Sequence, residues 1–147
     1  MVSSVFVDSN VIFSATLSKS GAPRRILRLA AGGVIRLVIS QQVEREVCRN
    51  LEMKVFQVAH LYPVLLHEAN IVVVPDPSEE TVREMLPYVR YWPDAMILAA
   101  AKEVGVDFFV TGDVKHFLSA AELKNRVAFE ILSPAEFLQR LESSQSI

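Results

Sequence analysis

Residues 5–12 read VFVDSNVI, an apolar run of Val5, Phe6 and Val7 that meets a carboxylate, Asp8, and resumes beyond Ser9 and Asn10. Valine and phenylalanine favour a pleated, buried strand. A charge where such a strand stops must be paired, hydrated or holding a cation, because leaving it bare at the edge of a core is expensive. The arrangement returns at residues 107–113, DFFVTGD, where a second apolar run stops at Asp113. Both runs put a carboxylate just past the C-terminal end of a strand.

Outward from these two stretches, short β-branched runs alternate with segments of helical period. Strands are expected at 4–7, 34–39, 71–74, 107–111 and 129–132. Helices are expected at 10–17, 22–31, after Ser40, at 56–68, from 79, from Pro93-Asp94 through Val104, and after Ser133-Pro134. Pro23 suits a first helical turn, and Ser40 can cap the helix in which Val43, Val47 and Leu51 repeat every four residues. Strands that are apolar throughout and alternate with helices imply a sheet buried on both faces. The expected fold is α/β: a three-layer α/β/α sandwich around a mainly parallel sheet of roughly five strands, in one domain over 1–142 with a frayed tail at 143–147. In such sheets ligands bind beyond the carboxyl ends of the strands.

Composition narrows the classes. The 147 residues are 51% hydrophobic and 22% charged, which fits a globular domain with a substantial core and excludes a disordered chain. A net charge of −2 gives no global nucleic-acid or membrane footprint, so any phosphate-binding charge must be local. Cys48 is the only cysteine, so no internal disulfide exists and a reducing cytoplasm is the expected location; its expected role is that of a small packed residue. No basic segment precedes the first apolar run and Asp8 interrupts it, so a signal peptide is not expected. The apolar region 53–74 carries Lys54, His60, Pro63, His67 and Glu68 and is too broken to span a membrane.

Two further acidic sites join the strand-end pair. Asp94, in WPDAMILAAA, begins a helix whose remaining residues are too apolar to face water. Glu44 and Glu46, in QQVEREVCRNL, lie in the first turns of the helix leaving the second strand. Each has an ordinary explanation alone: Asp94 as a helix-start charge, Asp113 as a turn residue, either Glu as a solvated helix charge. Together they say more. Convergent carboxylates raise one another's pKa unless a cation compensates, and the oxygen-loving cation for such a site is Mg²⁺ or Mn²⁺. Such an ion can activate water and neutralise charge on a phosphodiester. Asn10 and Thr111 are placed to orient the carboxylates or waters by hydrogen bonds.

The succession VFVDSNVI, VISQQVEREVCRNL, PDAMILAAAKEVGVDFFVTGD and ILSPAEFL resembles the PIN domain, the nuclease family that includes VapC-type toxins. The resemblance spans nearly the whole chain in order. It implies Mg²⁺- or Mn²⁺-dependent cleavage of single-stranded RNA by an acidic quartet, carried by position onto Asp8, Glu46, Asp94 and Asp113, with Glu44 the neighbouring alternative to Glu46. Asn10 and Thr111 match the family's polar companions. VRYWP before Asp94 lacks the extra acid that many relatives carry there. The resemblance also implies a homodimer and, in the toxin reading, a small antitoxin protein as partner.

Local positive charge comes from Arg24 and Arg28, one turn apart on the second helix, and from Lys115 and His116 just after Asp113. These four are the candidate substrate-binding residues. His60 and His67 are two turns apart, too far to share a metal. Tyr91 and Trp92 beside Asp94 are expected to pack on the helix rather than stack a base. Two other readings stand. A haloacid dehalogenase-type phosphatase also uses a strand-terminal Asp, but places an acid where Asn10 stands; a receiver domain fits less well. A non-catalytic PIN-like module that binds RNA or protein is the alternative outside the enzymes.

Overall fold

The structure, a computed structural model, describes residues 2–120 and 122–145. Five strands, β1 (Ser3–Val7), β2 (Ile35–Ser40), β3 (Val72–Val74), β4 (Phe108–Val110) and β5 (Glu130–Leu132), form one sheet in the order β3-β2-β1-β4-β5. Every pairing is parallel; Val5 lies beside Leu37 on one side and Phe108 on the other. Parallel neighbours need a crossover, and helices supply it. α1 (Ser9–Leu17) and α2 (Ala22–Ala31) join β1 to β2, and α3 (Gln41–Lys54) and α4 (Leu61–Glu68) join β2 to β3. α5 (Glu79–Met85) and α6 (Trp92–Val104) return the chain to β4, a short α7 (Val114–Phe117) precedes β5, and α8 (Pro134–Gln145) closes the described chain.

The β1→β2→β3 path moves one way across the sheet and β3→β4→β5 moves the other. Right-handed crossovers therefore put α1–α4 on one face and α5–α7 on the opposite face. The packing agrees: α1 touches α2, α3 and α4, α8 touches α2, and α5 packs on α6. This is the expected α/β/α sandwich. Reversal of direction between β1 and β4 creates a topological switch point at their carboxyl ends, where Asp8 and Asp113 follow.

Burial on both faces explains why strand residues do not alternate. Val5, Phe6, Val7, Phe109 and Val110 are all fully buried. Phe6 stacks on Phe109 across the β1–β4 seam with centroids 5.7 Å apart, and Phe117 meets Phe109 edge-on at 5.2 Å. Truncating such a ring to alanine costs about 3–5 kcal/mol. Phe117 thereby ties α7 to the seam.

One local expectation is corrected. Residues 56–68 are not one helix: a 3-10 turn, Phe56–Val58, precedes α4. Pro63 cannot sit deeper than a first turn without clashing with the carbonyl four residues back, so the helix restarts at Leu61. The stretch after Asp113 forms α7 and a 3-10 turn, Leu123–Asn125, too short to show a helical period. α8 runs through Gln145, and residues 146–147 of the 143–147 tail lie outside the described residues.

Candidate active site

Asp8 is 6% exposed, although it carries a carboxylate. It is the N-cap of α1, so it has a local purpose that the sequence alone did not suggest: the Ser9 amide donates to Oδ1 at 2.8 Å. A helix cap can sit at the surface, and capping does not account for the burial. The second oxygen, Oδ2, accepts from Thr111 Oγ1 at 2.8 Å. Thr111 is fully buried, and its hydroxyl in turn accepts from the Asp113 amide at 3.1 Å. One hydroxyl thus joins the β1 carboxylate to the β4 loop.

The remaining acids approach through side chains on α1 and α3. Ser9 Oγ donates to Glu46 Oε2 at 2.8 Å. Glu46 Oε1 lies 3.4 Å from Gln42 Nε2, one turn earlier, and that amide also donates to the Pro93 carbonyl at 2.8 Å. The contact fastens α3 to the start of α6, beside Asp94. Asp94 lies in the first turn of α6, and its Oδ2 is 2.6 Å from His116 Nε2 on α7. Asp113 is exposed and its carboxylate has no partner among the described residues. The four acids therefore lie at one edge of the sheet, three of them linked by chains of hydrogen bonds to α1, α3 and α7.

Electrostatics registers the crowding. The Asp8 carboxyl is pushed from 3.8 up to about 6, chiefly by burial; the hydrogen bonds from Thr111 and Ser9 act downward, while the charges of Glu46 and Asp94 add to the rise. Such a group holds a proton, or another cation, more readily than an ordinary aspartate.

Glu44 goes elsewhere. It accepts from the Tyr62 hydroxyl at 2.8 Å, on the side of α3 that meets α4, and raises the Tyr62 pKa together with burial. Cys48 lies on that side too, with its thiol pKa raised by burial and then by Glu44 and Glu52, so it lacks the depressed pKa of an activated nucleophile. Two residues along a helix turn a side chain by about 200°. That rotation separates Glu46, beside Ser9, from Glu44.

Of the two companions expected to orient carboxylates, Thr111 bonds Asp8 directly, whereas Asn10 bonds the backbone of the β4 loop. Asn10 Oδ1 accepts from the Gly112 amide at 2.9 Å, closing α1 onto the β4 loop. Gly112 permits this approach: a Cβ there would stand 3.2 Å from Asn10 Oδ1. The basic candidates divide. His116 touches Asp94, and Lys115 is exposed on the same short helix. Arg24 donates to the Ala15 carbonyl and Arg28 to the Lys19 carbonyl, bracing the α1–α2 connection, and among the described residues neither bonds a carboxylate of the cluster. His60 and His67, both exposed, lie outside the cluster. Tyr91 departs from its expected packing, being 64% exposed.

Sequence reasoning missed Ser9 and Gln42. The signal for Gln42 was its position four residues before Glu46, on the same helical face. Its buried Oε1 has no partner among the described residues. Among these residues no three His, Cys, Asp or Glu side chains already stand as a set that could hold a metal ion. The donor chemistry nevertheless fits a hard divalent cation: all four acids offer oxygen, and burial and repulsion leave Asp8 short of a countercharge.

With the geometry in place, comparison is informative. The PIN domain pattern matches residues 4–115, which include all four acids. The chain belongs to the PIN-domain family. Among solved structures, that of VapBC2 from Rickettsia felis, bound to a promoter DNA fragment, is 15% identical, with a TM-score of 0.67 over 88% of this chain and 98% of that one. DNA-bound VapBC from Salmonella typhimurium is 18% identical, with a TM-score of 0.64 over 91% and 99%. VapC20 from Mycobacterium tuberculosis, described as a sarcin-ricin loop cleaving toxin, is 16% identical, with a TM-score of 0.56 over 79% and 94%. At these identities the likeness is one of fold. No curated protein matches the sequence. No helix among the described residues is long and apolar enough to cross a membrane.

Proposed function

We propose that this PIN-domain protein is a Mg²⁺- or Mn²⁺-dependent endoribonuclease that hydrolyses phosphodiester bonds in single-stranded RNA. The observation that carries the reading is the buried Asp8 carboxylate, raised to about 6 and surrounded by the charges of Glu46 and Asp94 at the switch point of the sheet. A structural role would not need several acids there. Their shared need for a countercharge supports a cation site at which Asp8, Asp94 and Asp113 bind the metal and Glu46 either joins them or orients water. Bound there, the ion would activate the attacking water and offset charge gathering on the phosphate oxygens.

The chain's own residues divide the remaining work. Thr111 and the Ser9 amide hold the Asp8 oxygens in place. The Ser9 hydroxyl and Gln42 amide fix Glu46, and His116 orients Asp94. Lys115 supplies local positive charge for phosphate. Family membership and the VapBC-like fold favour a toxin with an antitoxin partner, and the exposed Leu17, Met53, Phe56 and Val64 offer apolar surface for such a partner or a second copy.

The test is cleavage of a labelled, unstructured RNA in Mn²⁺ or Mg²⁺ by wild type, by Asp94→Asn, and by wild type in EDTA. Cutting by metal-loaded wild type alone is expected. Equal cutting by all three would trace the activity to a contaminant or to metal-free chemistry. Absence of both cutting and calorimetric metal binding would favour a non-catalytic binding module.

A further inference from the structure

Next to the carboxylates, a cavity of about 460 Å³ opens between the segment joining α5 to α6 and the end of α7; its walls include Tyr88, Arg90, Tyr91, His116 and Ser119. Ligand sites commonly measure about 300–1,000 Å³. We propose that this cavity seats one nucleobase of a single-stranded RNA, with Tyr91 as its stacking surface and Arg90 holding an adjoining phosphate. The proposal rests on the ribonuclease reading and specifies how that site engages its substrate.

Three observations converge on it. His116 lines the cavity and also touches Asp94, so the two sites share a wall. A polymer with its phosphate at the carboxylates therefore has neighbouring nucleotides within reach of the cavity. Tyr91 stands three residues before Asp94, and its carbonyl receives the Ala95 amide as α6 begins, which fixes the backbone while the ring stays 64% exposed. A bulky ring left in water beside a phosphodiester site offers a π-face, and every base can use one. Arg90 is exposed, and its guanidinium has no partner among the described residues. The acidic cluster repels a polyanion, so an unpaired cation at its margin answers a need that the acids create.

The cavity chemistry favours a base over an apolar partner segment. Beside Pro87, Val89 and Ala120, the lining carries two tyrosine rings, Arg90, His116 and Ser119, an aromatic and polar mixture that suits a base, with its π-face and polar edges, better than an aliphatic segment.

Anisotropy of a fluorescent single-stranded RNA, read in EDTA so that binding is measured with cleavage off, tests the assignment. Wild type, Tyr91→Ala and Arg90→Ala would be titrated with a mixed-sequence strand and with the same strand carrying abasic sites. Tyr91→Ala should weaken binding of the intact strand roughly tenfold, the loss of one stacked base. Abasic RNA should bind wild type and Tyr91→Ala equally weakly. Arg90→Ala should lower the salt dependence by about one phosphate contact. Intact-strand binding unchanged in Tyr91→Ala, or abasic RNA bound by wild type as tightly as intact RNA, would overturn the pocket while leaving metal-dependent cleavage standing. Wild type that neither binds nor cuts RNA would overturn both. Circular dichroism checks that the variants fold, which the exposure of both side chains favours.

Discussion

The two halves of the acidic cluster are held differently. On the β1–α1–α3 side, Asp8 is buried between two hydrogen bonds and Glu46 is pinned by Ser9. On the α6–α7 side, Asp94 is only partly buried and is held by His116, while Asp113 is exposed and its carboxylate has no partner among the described residues. The buried half is preorganised, which suits groups that set where a cation sits. The open half leaves carboxylate oxygens accessible from the side where the cavity lies. The proposed cleavage of an RNA strand would use both, a fixed floor and a free rim.

The largest effect should come from removing the charge on the buried side. Asp8→Asn is expected to abolish RNA cleavage while raising metal-free stability at neutral pH. The sign follows from the shift. A carboxyl at about 6 in the folded chain and 3.8 otherwise binds its proton more tightly when folded, so the wild-type protein loses stability as pH rises from about 4 to about 6. At 1.36 kcal/mol per unit the loss approaches about 3 kcal/mol above that window. Thermal melts in EDTA at pH 5 and pH 7.5 measure it: wild type should weaken across the interval by more than Asp8→Asn does. Added Mg²⁺ should raise the melting temperature of wild type and leave the variant unmoved. A melting temperature for Asp8→Asn below wild type at pH 7.5 would break the contrast between the halves.

Thr111→Val is the next step down. It keeps the shape but deprives Asp8 of one donor and the Asp113 amide of its acceptor. Residues that orient metal ligands typically contribute 10–100-fold, and activity with metal affinity should fall by about that much. An unpaired buried group adds a stability cost of about 1–3 kcal/mol. Denaturant melts alongside calorimetric metal titration separate the two effects.

The smallest effect sharpens the picture along one helix. Glu44→Gln still accepts the Tyr62 hydroxyl, and cleavage should stay within about threefold of wild type, whereas Glu46→Gln should reduce it by an order of magnitude or more. Equal losses in parallel cleavage assays would mean that the two faces of α3 are not separated as the hydrogen bonds describe.

Much of this was legible in advance for identifiable reasons. The strand-to-carboxylate junctions at Asp8 and Asp113 stood out because a buried run cannot end on a charge without cause. Asp94 stood out because Ala95 through Ala101 are too apolar for a surface helix. Glu44 and Glu46 were not separable, since both are glutamates in the same turns and only the packing of α3 on α1 and α4 tells them apart. Ser9 and Gln42 were invisible as site residues because uncharged polar side chains acquire meaning only from what they touch. The α7 helix, which delivers His116 to Asp94, is one turn long and leaves no periodic trace.

By itself, then, the sequence determined the layered α/β fold and the sheet edge where the acids gather. Those follow from local rules: apolar runs buried on both faces, helical period between them, and charges confined to strand and helix ends. The tertiary structure alone decided which glutamate faces Asp8, that Thr111 is shared between Asp8 and Asp113, and that Tyr91 lines a cavity instead of packing. Each is a contact between segments far apart in the chain, set by how α3, α6 and α7 dock on the sheet, and no local pattern encodes it.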